Sequence, residues 1–370
     1  MKEFDLGPNG EQIPVINDGI GIGSWCEMMH HYSVIDHDSK FKVCPECVSP
    51  DGLYKSVQAD TYAELQQMEW LKAAKKDMSE GKWPKECSLC HNKEANGVIS
   101  MRERHNQEHT VHKLIREDYI KVELVVDNLC NGGCQMCHPL ASTKVGALYD
   151  KQNYPQFDNM AKFNSLPLER LTRLDIIGGE PSYSGIAKNL LRNLPPSVVG
   201  TKIITNGSKS LLPEIAPLLE RGIEIRLLVS FDGVGPVYNY VRWPVAYEKV
   251  LASLREYIEF SKSYPNFTIR LPITVSALNV NDMINIFNVA DELGVPGNFC
   301  FAYWPLELNP LFANELTLRA KNTLKDSTNT QVIAIRNLIA TKENNQLQFD
   351  KFVKEQDALR KISINDYIKI

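Results

Sequence analysis

"IKVELVVDNLCNGGCQMCHPLAST", residues 120–143, is an apolar run followed at once by three cysteines, Cys130, Cys134 and Cys137, spaced C-x3-C-x2-C. A structural zinc site closes four ligands around its ion, and a redox pair uses two thiols. Three thiols with no fourth nearby suit a metal centre that keeps one position open.

Outward from this stretch, short apolar runs alternate with amphipathic ones. The runs are "IKVELVV", "LTRLDII", "TKIIT", "IEIRLLVSF", "FTIRLPITV" and "NFCFAYW". Helical signals separate several of them. In "YEKVLASLREYIEF" Val250, Leu254, Tyr257 and Ile258 share a face. "NDMINIFNVADELGVP" carries Met283, Phe287 and Ala290 before a Gly294 cap and a Pro296 stop. Strand alternating with helix predicts an α/β fold with a parallel sheet and right-handed crossovers. The pattern leaves a doubly wound sheet and an incomplete barrel both open.

Parallel α/β folds place their sites beyond the C-terminal ends of the strands. The first four runs each end in a candidate. These are the cysteine triplet, "GGEP" (Gly178 to Pro181), "TNGS" (Thr205 to Ser208) and "SFDG" (Ser230 to Gly233), with Arg242 shortly downstream. Two glycines at a strand end let a ligand approach the backbone, and Glu180 offers an acceptor to an ammonium group. Each fragment alone is an ordinary turn; their shared rim carries the reading. Asp127, Tyr183, Tyr240 and Arg270 are further residues expected at the barrel mouth.

The chain of 370 residues suffices for one large α/β unit or two domains. Its 41 basic and 45 acidic residues, a net charge of -4, give no bulk basic signature for nucleic acid or an anionic membrane. No apolar stretch reaches the roughly 18 residues of a membrane span. "MKEFDLGPNGEQIP" lacks a signal peptide's apolar core. A cytoplasmic protein is expected, and nine cysteines there point to metal or catalysis rather than disulfides. Cys300, alone in "NFCFAYW", is expected to be a buried apolar cysteine.

Residues 1–100 carry Cys26, Cys44, Cys47, Cys87 and Cys90 and one clear helix, "DTYAELQQMEWLKAAKKDM". A Thr61–Glu64 capping box opens it, and Leu65, Met68 and Leu71 mark its apolar stripe. Residues 101–117 read as a charged helical connector with His105, His109 and His112 on a solvated face. After the last strand, Tyr303 and Trp304 are candidates to line a substrate pocket, with a place in the core the favoured reading. Residues 306–370 read as two or three helices capping the open barrel side, with Phe349, Phe352 and Leu359 on one apolar face.

"CNGGCQMC" followed by "GGEP" resembles the radical S-adenosylmethionine superfamily. The resemblance implies a partial (βα)6 TIM-type barrel over about residues 118–305. It implies that Cys130, Cys134 and Cys137 hold three irons of a [4Fe–4S] cluster, the fourth being chelated by the amino and carboxylate groups of S-adenosylmethionine. An electron from a flavodoxin- or ferredoxin-type donor would then cleave that cofactor to a 5′-deoxyadenosyl radical, which abstracts a substrate hydrogen. By the same resemblance Gly178, Gly179 and Glu180 hold the methionine amino group. Ser230 and Asp232 meet the ribose or the methionyl end, Arg242 pairs the carboxylate, and Asn206 shares the rim. Where the family has an aromatic residue before the third cysteine, this chain has Met136, which packs against adenine.

The N-terminal segment resembles the twitch, or SPASM-like, domain that carries one auxiliary [4Fe–4S] cluster. The pattern implies Cys26, the turn "DHDSKFKV", Cys44, then Cys87 and Cys90 as ligands. "CSLCHNKEANGVISMR" matches a run in relatives with the same early placement, while Ser39 replaces the family's turn glycine. Cys47 competes for one of the four positions, so the choice among five cysteines stays open, as does zinc bridging "CPEC" and "CSLC". Such a cluster would accept an electron from the substrate, bind it, relay electrons, or staple a segment with little core of its own. The division expected is 1–100 auxiliary domain, 101–117 connector, 118–305 barrel and 306–370 helical cap.

Three functions compete. The first is radical modification of a peptide or protein. The second is the same chemistry on a nucleotide, nucleic acid or sugar, with the net charge disfavouring a large polynucleotide footprint. The third is a zinc-stabilised, non-enzymatic binding module, which leaves the triplet and "GGEP" unexplained. No membrane partner is expected.

Overall fold

The computed structural model describes residues 24–44, 47, 59–95, 100–103, 105–106, 118–149 and 152–368. It also describes the backbone of two short strands, β1 (Phe4–Leu6) and β2 (Gln12–Pro14), which pair antiparallel. An eight-stranded sheet carries the fold. Its strands are β3 (Tyr32–Ile35), β4 (Phe41–Lys42), β5 (Ile120–Val125), β6 (Leu171–Ile177), β7 (Gly200–Thr205), β8 (Glu224–Val229), β9 (Phe267–Val275) and β10 (Gly297–Phe301). Their order is β10-β9-β8-β7-β6-β5-β3-β4. All neighbours pair in parallel except β4, which returns antiparallel on β3.

That order settles what the pattern left open. A doubly wound sheet reverses its strand order at a switch point. Here the parallel strands, β3 and β5 to β10, follow the chain without reversal, as in a barrel, and β10 and the antiparallel β4 are left as the two edges. The architecture is an α/β partial barrel.

All six apolar runs become strands, and β9 spans "FTIRLPITV" from end to end. Along β8 and β9 alternate residues, Ile225, Leu227 and Val229, then Ile269, Leu271, Ile273 and Val275, are buried in the core. They meet helices such as Tyr247–Ser261, which buries Val250, Leu254 and Tyr257, and Met283–Leu293, which buries Met283, Phe287 and Ala290. Gly294 closes the latter in the left-handed conformation, φ 65°.

The opposite face of the sheet is charged. Glu123, Asp175, Lys202 and Arg226 stand in adjacent register across β5 to β8. Lys202 Nζ lies 2.8 Å from Asp175 and 3.2 Å from Glu123, and Arg173 Nε lies 3.1 Å from Asp175. Burial opposes ionisation of Asp175, but Lys202 and Arg173 outweigh it and hold the pKa down to about 2. These pairs lie mid-strand, below the candidate rim.

Several expectations are corrected. The N-terminal helix is two, Tyr62–Gln67 and Glu69–Ser79, broken where Met68 is extended; the Thr61–Glu64 capping box is present. Leu65 and Leu71 lie about a third of a turn apart on a continuous helix, and the break accompanies the burial of both. The sheet runs on into the N-terminal segment through β3 and β4, too short for periodicity to reveal. His105 is not on a solvated face: its ring meets Tyr32 edge-on at 5.6 Å, and Nδ1 is 3.9 Å from Glu27. His109 and His112 lie outside the described residues.

Tyr303 and Trp304 are 70% and 46% exposed rather than core, because the chain leaves the sheet edge before them. Cys300 is exposed too. Alternation on β10 sends Phe299 and Phe301 to the core and Cys300 to the other face, opposite Thr274. The C-terminal segment forms helices Glu315–Thr323, Thr330–Leu338 and Gln346–Arg360; β11 (Phe312–Ala313), before the first, pairs with β12 (Lys342–Asn344), before the last. The last helix buries Phe349, Val353, Gln356 and Arg360, while Phe352 and Leu359 are half-buried. Its inner face is therefore apolar in one half and polar in the other. Among the described residues no helix is long and apolar enough to cross a membrane.

Candidate functional site

The cysteine loop leaves the end of β5. A Cβ on Gly132 would lie 3.5 Å from both Cys130 Sγ and Cys134 Sγ, so the two thiols flank bare backbone. Burial, then the neighbouring Cys134, pushes the Cys130 thiol up to about 12. Burial, Cys134 and Cys130 likewise raise Cys137. Three acids crowded together resist ionising until a cation joins them. The loop is pinned by Gly133 N–H to the Trp243 carbonyl (2.7 Å) and Gln135 N–H to the Val241 carbonyl (2.9 Å). A Cβ on Gly133 would be 2.8 Å from the Trp243 ring.

The "GGEP" turn packs directly on this loop. Gly178 and Gly179 have φ of 87° and 29°. A Cβ on Gly178 would lie 2.5 Å from Val125 Cγ1, and one on Gly179 would lie 2.5 Å from the Leu129 carbonyl oxygen. Neither position has room for a side chain. Glu180 donates its N–H to the Leu129 carbonyl at 2.8 Å. Its carboxylate, 1% exposed, accepts from Ser182 N (3.0 Å), Ser182 Oγ (2.6 Å), Thr205 Oγ1 (2.6 Å) and Asn206 N (2.6 Å). Three of these contacts fall on Oε1 and one on Oε2, so Oε2 keeps room for a further donor. Glu180 thus locks "GGEP" to "TNGS". Asn206 Nδ2 then donates to Asn131 Oδ1 at 2.9 Å, tying "TNGS" to the cysteine loop.

Ser230 and Asp232 are buried beyond β8. Asp232 Oδ1 accepts from Thr274 N (2.6 Å), and Oδ2 pairs with Arg242 Nε and Nη2 at 2.5 Å. Arg242 Nη1 donates to Cys134 Sγ at 3.8 Å. Burial disfavours the Arg242 charge, but Asp232 and Cys134 outweigh it and raise its pKa. Cys130, Cys134, Cys137, Gly178, Gly179, Glu180, Asn206, Ser230, Asp232 and Arg242 therefore gather at one rim, as the turns implied.

Other candidates are placed differently. Tyr240 is buried against the C-terminal helix, donating to Asp357 Oδ1 at 2.8 Å, not at the barrel mouth. Met136 is half-buried against the core that contains Tyr240 and Phe349. Asp127 is buried, accepting from Ser184 Oγ and, at 3.0 Å, from Leu129 N; burial raises its pKa. Tyr183 is exposed and Arg270 half-buried. Sequence reasoning missed Trp243, Asn131 and Arg360. Arg360 donates to the Gly133 carbonyl (2.8 Å) and the Cys134 carbonyl (3.2 Å). The α/β fold is the one that the sequence resemblance implied.

A second set of thiols lies in the N-terminal segment. Cys26, Cys44, Cys47, Cys87 and Cys90 line one cavity with Met28, Met29, Glu86 and Arg102. Cys26 precedes helix Glu27–His31, Cys44 follows β4, and Cys87 and Cys90 lie on the turn Lys85–Cys87 and the helix Ser88–Ala95. Burial raises Cys26 to about 12 against the backbone N–H groups of Met29 and Met28. A hydrogen bond with Cys47, then burial, raises Cys87. Among the described residues no three His, Cys, Asp or Glu side chains are placed as ligands of a single metal ion.

No family model matches the chain, and no curated protein matches it. Solved structures show loose likenesses. One is native anSMEcpe with bound AdoMet and Cp18Cys peptide, at 16% identity over 55% of this chain and 57% of that one, with a TM-score of 0.36. Another is Streptococcus suis SuiB bound to S-adenosylmethionine, at 15% identity over 78% and 59%, with a TM-score of 0.37. HydG, a maturase of the [FeFe]-hydrogenase, matches at 14% identity over 72% and 61%, with a TM-score of 0.35. Each match spans less than two thirds of the other chain.

Proposed function

We propose that the chain is a radical S-adenosylmethionine enzyme whose cluster is held by Cys130, Cys134 and Cys137. One observation carries this reading: the three thiols share a loop that is locked onto a double-glycine turn and faces Arg242. The donor set fits an iron–sulfur cluster with one open iron. Gln135, in the same loop and 2% exposed, has a side-chain amide with no hydrogen-bond partner, as a site awaiting a polar occupant would leave it. When bound, the cluster and S-adenosylmethionine supply one electron and a 5′-deoxyadenosyl radical that removes a substrate hydrogen.

The chain's own residues position and shield. Arg242 offsets the cost of burying thiolates beside it and, oriented by Asp232, stands ready for the cofactor carboxylate. Glu180 fixes the turn and, with an acceptor site left on Oε2, joins the Gly178–Gly179 backbone in receiving the amino group. Ser230 and Asn206 serve the ribose or methionyl end, and Met136 the adenine. Four of the five N-terminal cysteines would hold an auxiliary [4Fe–4S] cluster, and a small flavodoxin- or ferredoxin-type protein would donate electrons in the cytoplasm.

A peptide or protein is the proposed substrate. The support is a rim bearing exposed Tyr183, Tyr303 and Trp304, with Trp304 4.6 Å from the His138 ring beside Cys137. Flat aromatic surfaces around a polar centre suit an extended chain better than an enclosed small molecule. Anaerobic reconstitution with iron and sulfide tests the cluster. The reduced protein should give a [4Fe–4S] resonance that changes on adding S-adenosylmethionine and is lost in Cys134→Ala. Zinc in place of iron in anaerobically prepared protein contradicts the reading.

A further inference from the structure

The last helix, Gln346–Arg360, ends inside the cluster-binding rim. Arg360 is 4% exposed, and 226 residues of chain separate it from Cys134. Its Nε donates to the Gly133 carbonyl at 2.8 Å and its Nη2 to the Cys134 carbonyl at 3.2 Å, so one planar fork holds two successive peptides of the loop. Nη1 is held by the side chain and carbonyl of Gln356, one turn earlier. Gln356 Nε2 is fixed in turn by Tyr149 Oη at 2.7 Å. The Trp243 ring, against which Gly133 lies, is 6.0 Å from the guanidinium.

We infer that Arg360 is a positioning residue for the cluster, holding the Gly133–Cys134 backbone and setting a second buried cation, after Arg242, beside the ligand thiolates. This rests on the cluster reading above. A packing role alone explains the geometry poorly. Among the described residues, the hydrogen bonds of Arg360 go to two loop carbonyls and Gln356, and none to a carboxylate. A buried cation without a counter-charge is costly, whereas beside three thiolates and their cluster it gains one. A lysine, a point donor, cannot span both carbonyls. The helix is thereby part of the site, and its polar half, Gln356 and Arg360, is the part facing the loop.

Charge near a cluster tunes its potential. Removing a cation disfavours the extra electron, so the potential should become more negative. The test uses the full chain with Cys87→Ala and Cys90→Ala, which leave only three thiols in the N-terminal pocket, so that the resonance comes from the triplet alone. Arg360→Gln, Arg360→Lys and Gln356→Leu are reconstituted anaerobically, and iron content and midpoint potential are read by spectroscopic titration. Arg360→Gln should shift the potential negative at unchanged iron stoichiometry, and Arg360→Lys should recover part of the shift. Gln356→Leu keeps the charge but loosens its hold, and it should broaden the resonance; it serves if the Arg360 variants fail to fold. A wild-type potential and line shape in all folded variants overturns this inference alone. Absence of any triplet cluster in the parent overturns it together with the reading it rests on.

Discussion

The cysteine triplet occupies eight consecutive positions, 130–137, whereas the second set gathers Cys26, Cys44, Cys47, Cys87 and Cys90 from segments up to 64 positions apart (90 − 26). The triplet hangs from the end of β5, inside a parallel sheet, and is tied to the turns after β6 and β7 by Glu180 and Asn206. The second set sits on a five-residue helix, the end of a two-residue strand, and a turn leading into an eight-residue helix. Short elements have few internal hydrogen bonds, and closing long loops between them costs entropy. The difference teaches where binding energy goes. At the rim the scaffold is held by its own hydrogen bonds. On the proposed reading, loading of the N-terminal pocket would supply folding energy.

The largest expected effect is chemical. Cys134→Ala should abolish 5′-deoxyadenosine formation while leaving the N-terminal metal bound, measured as product and iron per chain. Loss of both metals in folded protein would break the contrast. Next is Gly179→Ala, whose Cβ would meet the Leu129 carbonyl at 2.5 Å. It should cost about 3 kcal/mol in denaturant unfolding and depress cofactor cleavage. Cys87→Ala with Cys90→Ala, which leaves three thiols, should strip the pocket of metal and raise hydrogen exchange across residues 61–95, yet keep S-adenosylmethionine binding. Unchanged exchange would mean that the pocket, too, is scaffold-formed.

The smallest effect is electrostatic and lies under the rim. Asp175 titrates at about 2 in the folded chain against an ordinary value of 3.8. A depressed folded pKa contributes stability above the unfolded value, lost as pH falls from about 4 toward 2. The contribution is about 2 kcal/mol. Asp175→Asn should remove that pH dependence and lower stability at pH 7 by about the same amount, followed by urea unfolding across pH.

Strand content was legible because buried parallel strands write themselves as apolar runs; "LTRLDII" and "FTIRLPITV" match β6 and β9 end to end. The rim was legible because each candidate directly follows a strand. The strand order was not, since two sheet types share one alternation of elements. Nor was the exposure of Cys300, which follows from the pleat of an edge strand that turns it from the helix-packed face rather than from hydrophobicity. Arg360 was out of reach for a different reason. Helical periodicity marks Phe349 as inward, but an arginine on the same stripe reads as solvated until the loop it holds, 226 positions away, is placed against it.

The most direct measurement is 5′-deoxyadenosine by mass spectrometry from anaerobically reconstituted protein with S-adenosylmethionine and a reductant. Fractions of peptides, nucleic acids and small molecules should be added in turn. The account predicts release from the wild-type chain, absent in Cys134→Ala and raised by the peptide fraction. No release under any condition, with iron and S-adenosylmethionine both shown to be bound, would contradict it.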